Sequence, residues 1–274
     1  MSRDIHVSWP SLSYEEWEPT RQTLHRYLQM VGKIRMSLVP PRHHWWHTTL
    51  TLATRGLTTG PMPYGQLDVE IAFDLLDHRL LVLTSDGRER SFALGARPAC
   101  ADFYRDLFDA LDVLGVRVEI RPVPYDLGQG PSFPEDTIHA SYEAGAVTDY
   151  WRVLAGTRHV LDEFASRFTG EASPVHLFWH RLDLAYTRHL PRVITFGLGP
   201  GDEREIPYPA FYSSVDPEPA GLVEHALRPA PAHWRRIGST HRAVLAYDVL
   251  RAMPDPHQTL LEFYESAYVA AVSR

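Results

Sequence analysis

Asparagine is absent from this 274-residue chain, and lysine occurs once, at Lys33, among 27 basic side chains. The excess of Arg over Lys looks like the coding bias of a GC-rich genome. Lys33 is then either a chance survivor of that bias or a position that needs a compact, deprotonatable ammonium, which guanidinium cannot imitate. Cysteine also occurs once, at Cys100, so no internal disulfide is possible, which fits a reducing compartment. No run approaches the ~18 apolar residues of a membrane span. The opening residues MSRDIHVSWP contain no apolar stretch of the kind found in secretory leaders. Basic tracts are missing too: 34 acidic against 27 basic side chains give a formal charge of −7, which repels phosphate backbones. The expectation is a cytoplasmic chain that binds neither nucleic acid nor membrane. No phosphate-cradling Gly-Lys loop, dinucleotide-binding Gly pattern or Gly-x-Ser-x-Gly elbow is present, which argues against nucleotide-driven and serine-hydrolase chemistry. What is abundant is apolar surface, at 44% of residues, enough for a core.

A shift of 133 residues lays Pro41-Arg-His-His-Trp-Trp-His47 on Pro174-Val-His-Leu-Phe-Trp-His180. Without a gap the match continues through Thr54/Thr187, Arg55/Arg188 and Leu57/Leu190. Trp, His and Arg recurring at one offset point to a duplication. The fold class expected is therefore α+β: two related half-domains (helix, antiparallel strands, helix) packed as one pseudo-two-fold unit. The first spans residues 1–122, a Pro/Gly-rich connection covers 123–142, and the second spans 143–274.

Local patterns fill in the elements. A helix over 14–31 places Trp17, Leu24, Leu28 and Val31 on one face, with Gly32 as its stop. Strands are expected at 45–54, 67–75, 80–84, 90–94 and 116–120, with a turn at Ser85-Asp86-Gly87 and a helix over 101–114. The second half reads as a helix over 144–168, strands near 175–187, 210–215 and 243–250, and a helix over 257–272. The Pro-rich stretch 217–231 reads as a loop.

Several segments carry a resemblance: Trp9-Pro-Ser-Leu-Ser-Tyr14, Val31-Gly-Lys-Ile-Arg35, His44-Trp-Trp46 and Ala53-Thr-Arg-Gly-Leu-Thr-Thr59 in the first half. Asp136-Thr-Ile-His-Ala-Ser-Tyr142, Ser173-Pro-Val-His-Leu-Phe-Trp179, Asp183-Leu-Ala-Tyr-Thr-Arg188 and Pro209-Ala-Phe-Tyr212 follow. In these the chain resembles a large bacterial family catalogued only as a domain of unknown function. The resemblance runs nearly end to end and implies no activity. It adds weight to His44, His139, His176, Asp183 and Arg188, which fall on the family's recurring polar positions. His47, His180 and His189 stand where the family usually has no histidine. Two segments that normally precede the Pro209 motif, Tyr-Ser-His-Glu and Gly-Phe-Trp-Pro-Gly, are missing from the interval 190–208.

The chemistry-bearing residues suggest an acid/base site. As strands, the repeated segments would put His43, Trp45, His47, Thr49, Thr51 and Arg55 on one face, and His176, Phe178, His180, Tyr186 and Arg188 on its counterpart. Asp136 and His139, three apart, are close enough for a carboxylate to orient an imidazole. His176 and Asp183 are the other candidate pair. On a regular strand their odd spacing puts them on opposite faces. Arg55 and Arg188 suit a carboxylate or phosphate through their planar forks, an ion pair with Asp183 being the alternative for Arg188. Lys33 suits anion binding, with a role as base or Schiff-base nucleophile as its alternative. His44, Trp45, Trp46 and Trp179 would wall the pocket. Cys100 is expected to pack.

The leading expectation is an enzyme acting on a small anionic or aromatic molecule by His-mediated acid/base chemistry (cyclisation, isomerisation or hydrolysis) in a cleft between the halves. Catalytic roles would fall to His176, Asp183, His139 and Asp136, and no cofactor is expected. One alternative is a metal-dependent enzyme using the chain's 15 histidines. His43 and His47 on one strand would sit about 13 Å apart, too far to chelate one ion. Another is a non-catalytic protein that holds a small ligand.

Overall fold

The computed structural model describes residues 9–128, 130–202 and 204–273, so the segment read for a leader lies mostly outside it. In chain order it contains α1 (Tyr14–Leu38), a 3₁₀ turn (His43–Thr48), β1 (Thr51–Leu52), β2 (Gly56–Thr58), β3 (Met62–Tyr64), β4 (Leu67–Asp74), β5 (Arg79–Thr84), β6 (Glu89–Ala93) and α2 (Cys100–Val113). Then follow α3 (Ala144–Ser166), β7 (Glu171–Ala172), β8 (His176–Phe178), β9 (Asp183–His189), β10 (Val193–Gly199), β11 (Ala210–Asp216), β12 (His233–Ile237), β13 (Thr240–Ala246), α4 (Tyr247–Arg251) and α5 (Pro256–Val272). The α+β class stands: helices accompany two antiparallel sheets.

The chain forms two compact units, each discontinuous in sequence. Among the described residues, one comprises those of 15–151 together with 176–182, and the other comprises 9–14, 152–175, 183–202 and 204–273. These boundaries differ from the linear ones read from the sequence because Leu50 and Leu177 exchange backbone bonds of 2.9 and 2.8 Å, drawing the 176–182 segment to the first unit.

In the first unit the sheet runs β1-β2-β4-β5-β6, with β3 also on β4. Alternation buries Val69, Ile71 and Phe73 of β4 and Leu80 and Val82 of β5. Leu24, Tyr27, Leu28 and Val31 of α1 and Phe103 and Leu107 of α2 are buried as well; Tyr27 stacks on Phe103 at 3.9 Å between centroids, and Phe103 stacks in turn on Phe73 of β4 at 6.2 Å. In the second unit the strand path is β12-β13-β11-β10-β9-β7. Its core gathers Phe164 of α3, Phe196 of β10 and Tyr264 of α5, whose hydroxyl donates to the Gly197 carbonyl at 3.0 Å.

Five local expectations are corrected. Gly32 does not end α1, which runs on to Leu38; a Cβ at residue 32 would lie 2.3 Å from the Trp179 ring, so the glycine is there for close approach. The segment 45–54 is not one strand. His44 (φ 55°, ψ 23°) and Trp45 (φ 60°, ψ 21°) are both left-handed, and only Thr51–Leu52 pairs. Side chains stabilise this turn: His47 Nδ1 accepts from the Arg42 amide at 3.1 Å, and Thr48 donates to the Trp45 carbonyl at 2.9 Å. Residues 116–120 are in no strand, because their segment runs along α1 instead, where Ser37 Oγ donates to the Glu119 carbonyl at 3.2 Å. The 175–187 run is broken into β8 and β9 around left-handed Leu182 (φ 58°). Finally, 243–250 divides into the end of β13 and α4, where the Tyr247 amide donates to the Pro209 carbonyl and leaves the ladder.

Candidate functional site

The 176–182 segment lies against α1. The Trp179 indole rests on Gly32, and the His25 ring makes backbone hydrogen bonds to Trp179 and His180. Burial, reinforced by Arg21, pushes His25 down to about 3, so it is neutral at physiological pH. Its Nε2 lies 3.3 Å from Gln29 Nε2, whose amide also holds the Tyr125 backbone.

The same segment carries His176, 3% exposed. Its Nδ1 is 3.2 Å from Thr49 Oγ1, and that hydroxyl donates its proton to the Trp46 carbonyl at 3.1 Å. With that proton on the Trp46 carbonyl the hydroxyl oxygen is an acceptor, the arrangement that goes with a ring proton on Nδ1. His176 Nε2 is buried and without a hydrogen-bond partner among the described residues, and in that tautomer it is a bare lone pair. Burial, and then the charge of Arg35, lowers the ring to about 4.

Arg35 is half-buried one turn beyond Gly32, and its Nε is also buried with no partner among the described residues. Burial and Arg42 depress the guanidinium, and no carboxylate is among the causes. The Trp179 Nε1–H is a third buried polar group lacking a partner. The unpartnered His176 ring nitrogen thus feels the charge of Arg35, whose own Nε is unused, and the unused Trp179 Nε1–H is carried by the same segment as His176. Such a set can take the negative end of a ligand on Arg35 and Trp179 and a proton on His176.

The other expected residues are distributed differently. Asp136, fully buried, does accept from His139 Nδ1 at 2.7 Å, but it also faces Arg26 Nε at 3.1 Å and accepts from the backbone amides of Ile138 and His139. The carbonyls of Asp136 and His139 in turn receive the first amides of α2, from Ala101 and Cys100. Cys100 is buried against Asp136, and burial together with that carboxylate pushes its thiol up, as a packing role requires. Arg55 is an exposed guanidinium engaged by Asp74 and Asp77, both at 2.8 Å. The His44 ring lies 5.4 Å from that of Trp46, tilted by 42°, and Trp45 is 68% exposed.

Asp183 and Arg188 belong to the other unit. Arg188 is buried without a carboxylate among the described residues, its guanidinium 3.9 Å over Phe164 and 4.5 Å over Tyr268, with Nη2 donating to the Phe164 carbonyl at 2.8 Å. Its fork is thus spent on the core. The repeated Arg55 and Arg188 have dissimilar surroundings. Among the described residues no three His, Cys, Asp or Glu side chains group to hold a metal ion, and no helix is long and apolar enough to cross a membrane.

Sequence reasoning passed over Arg35 and named Thr49 only as a strand-face residue. Arg35 closes the Val31–Arg35 segment, one of the resemblance motifs, and that was its available signal. No curated protein and no solved structure matches the chain. A family model described as a family of unknown function (DUF5996) matches residues 9–194 and 190–274.

Proposed function

The chain belongs to the DUF5996 family, and since that membership carries no activity, we propose from the geometry that it is an enzyme acting on a small anionic molecule, with His176 as general base. The observation that carries this reading is the bare, buried Nε2 of His176 beside the unpartnered Arg35. Burial is the larger cause of the lowered His176, and an anion on Arg35 cancels the second, the guanidinium charge, so binding raises the basicity of the ring at the moment a proton must be taken. Thr49 positions the ring by accepting from Nδ1–H, and it continues to do so when the ring is charged. Trp179 Nε1–H supplies a second donor toward developing negative charge. Proton abstraction of this kind opens a cyclisation, an isomerisation or a hydrolysis.

Other candidates take supporting parts. His44, Trp45 and Trp46 flank Thr49 through the left-handed turn and form the approach to the base. Asp136 and His139 serve the α2 N-terminus, since the carboxylate is consumed by Arg26 and two amides.

The test is proton NMR of the protein incubated in D₂O with a panel of small carboxylates. Wild-type protein should exchange an acidic C–H of at least one for deuterium. His176→Gln should bind that compound without exchange, and Arg35→Met should fail to bind it. Binding with no exchange or turnover would make the chain a non-catalytic binding protein, and binding indifferent to Arg35→Met would remove the anion site.

A further inference from the structure

Gln29, Lys33 and Ser37 are spaced four apart on α1 and form one stripe along it, away from Arg35. The segment 119–125, which belongs to no helix or strand, runs along this stripe. It is pinned at one end by Ser37 on the Glu119 carbonyl and at the other by Gln29, which donates to the Tyr125 carbonyl at 2.9 Å and accepts from its amide at 2.7 Å. Lys33 lies between the pins and is only 6% exposed. Among the described residues it has no ion pair and no hydrogen bond, and the charged neighbour acting on it is Arg121 of the covering segment. The chain's sole lysine is therefore a buried amine beside a guanidinium, with no carboxylate to hold it as an ammonium.

We propose that Lys33 is a covalent attachment site for a small oxo acid, an aldehyde or ketone bearing a carboxylate, with Arg121 pairing with the carboxylate. The neutral amine adds through its lone pair to the carbonyl carbon, giving a carbinolamine after proton transfer from nitrogen to oxygen. Loss of the hydroxyl and the remaining N–H proton as one water leaves the imine, with no oxidant or reductant involved. Burial first, and then Arg121, lowers the amine's affinity for its proton, which keeps the attacking form populated.

Glyoxylate with sodium cyanoborohydride at neutral pH, followed by peptide mass spectrometry, tests this directly, because the only amines on the chain are Lys33 and the N-terminus. Lys33 should take one reduced adduct faster than in the denatured chain, because burial and then Arg121 lower its hold on the proton. Arg121→Gln should slow capture of glyoxylate by more than it slows capture of neutral propanal, which loses only the charge effect on the amine. Lys33→Arg should melt as the wild type does and carry no adduct away from the N-terminus. Label confined to the N-terminus, or Lys33 labelled no faster than in the denatured chain, overturns the proposal. Equal slowing of both probes in Arg121→Gln overturns the carboxylate pairing. His176→Gln should label normally, so this inference and the base reading fail separately.

Discussion

Thr49 Oγ1 lies 3.2 Å from His176 Nδ1 and 3.1 Å from the Trp46 carbonyl, and with its proton on that carbonyl it accepts from the ring. One threonine thereby decides which nitrogen of a buried imidazole is basic. The left-handed turn before it sets the threonine's position, so the backbone geometry at His44 and Trp45 bears on the chemistry at His176.

Arg35 acts on His176 through its charge. Arg35→Met should raise the His176 pKa above its value of about 4, read from the ring's NMR titration. Acetate added to the wild-type protein should move it in the same direction, and should do nothing in the variant. A titration unchanged by both would separate the two residues.

Both His176 and His25 are held below the ordinary histidine value of 6.5, at about 4 and about 3. The unfolded chain then binds more protons than the folded one between those values, so stability rises with pH across the interval. The contribution is complete above pH 6.5 and is lost as pH falls toward 4 and then 3. For His176 it amounts to ~3 kcal/mol. Urea midpoints measured from pH 7 to pH 4 should fall, and His176→Gln should flatten the decline.

Gly32→Ala should destabilise the protein, against the usual helix preference for alanine. The added methyl would meet the Trp179 ring 2.3 Å away, and relieving that overlap costs about 1–3 kcal/mol, more than the ~1 kcal/mol that helix propensity returns. Chemical denaturation measures the difference. A neutral or stabilising outcome would mean the indole does not rest on α1.

Arg188 was a reasonable anion-binding candidate by residue type, yet its planar cation lies among Phe164, Phe168 and Tyr268. Arg188→Lys should cost about 2 kcal/mol of stability by losing that stacking. Acetate binding at Arg35 should be unaffected, which isothermal calorimetry would show.

Much of the architecture was legible because it is periodic. The helices at 144–166 and 256–272 and the strands at 67–74 and 79–84 lie within a few residues of where apolar spacing puts them. The Asp136–His139 contact was legible for the same reason, since three residues on one turn leave little freedom. What escaped depends on distant partners. Gly32 reads as a stop until Trp179, far along the chain, is seen to lie on it. His43 to Thr48 has strand composition, but its own side chains hydrogen-bond the local backbone and close it into a turn. Arg35 carries no periodic signal of its own, and burial without an acid beside it is what sets it apart.

The most direct test is a long-range nitrogen–proton NMR correlation of the His176 ring at pH 7, identified by its loss in His176→Gln. The account predicts a neutral ring with the proton on Nδ1 and Nε2 bare. A proton on Nε2, or a charged ring, would contradict it and leave the site without its base.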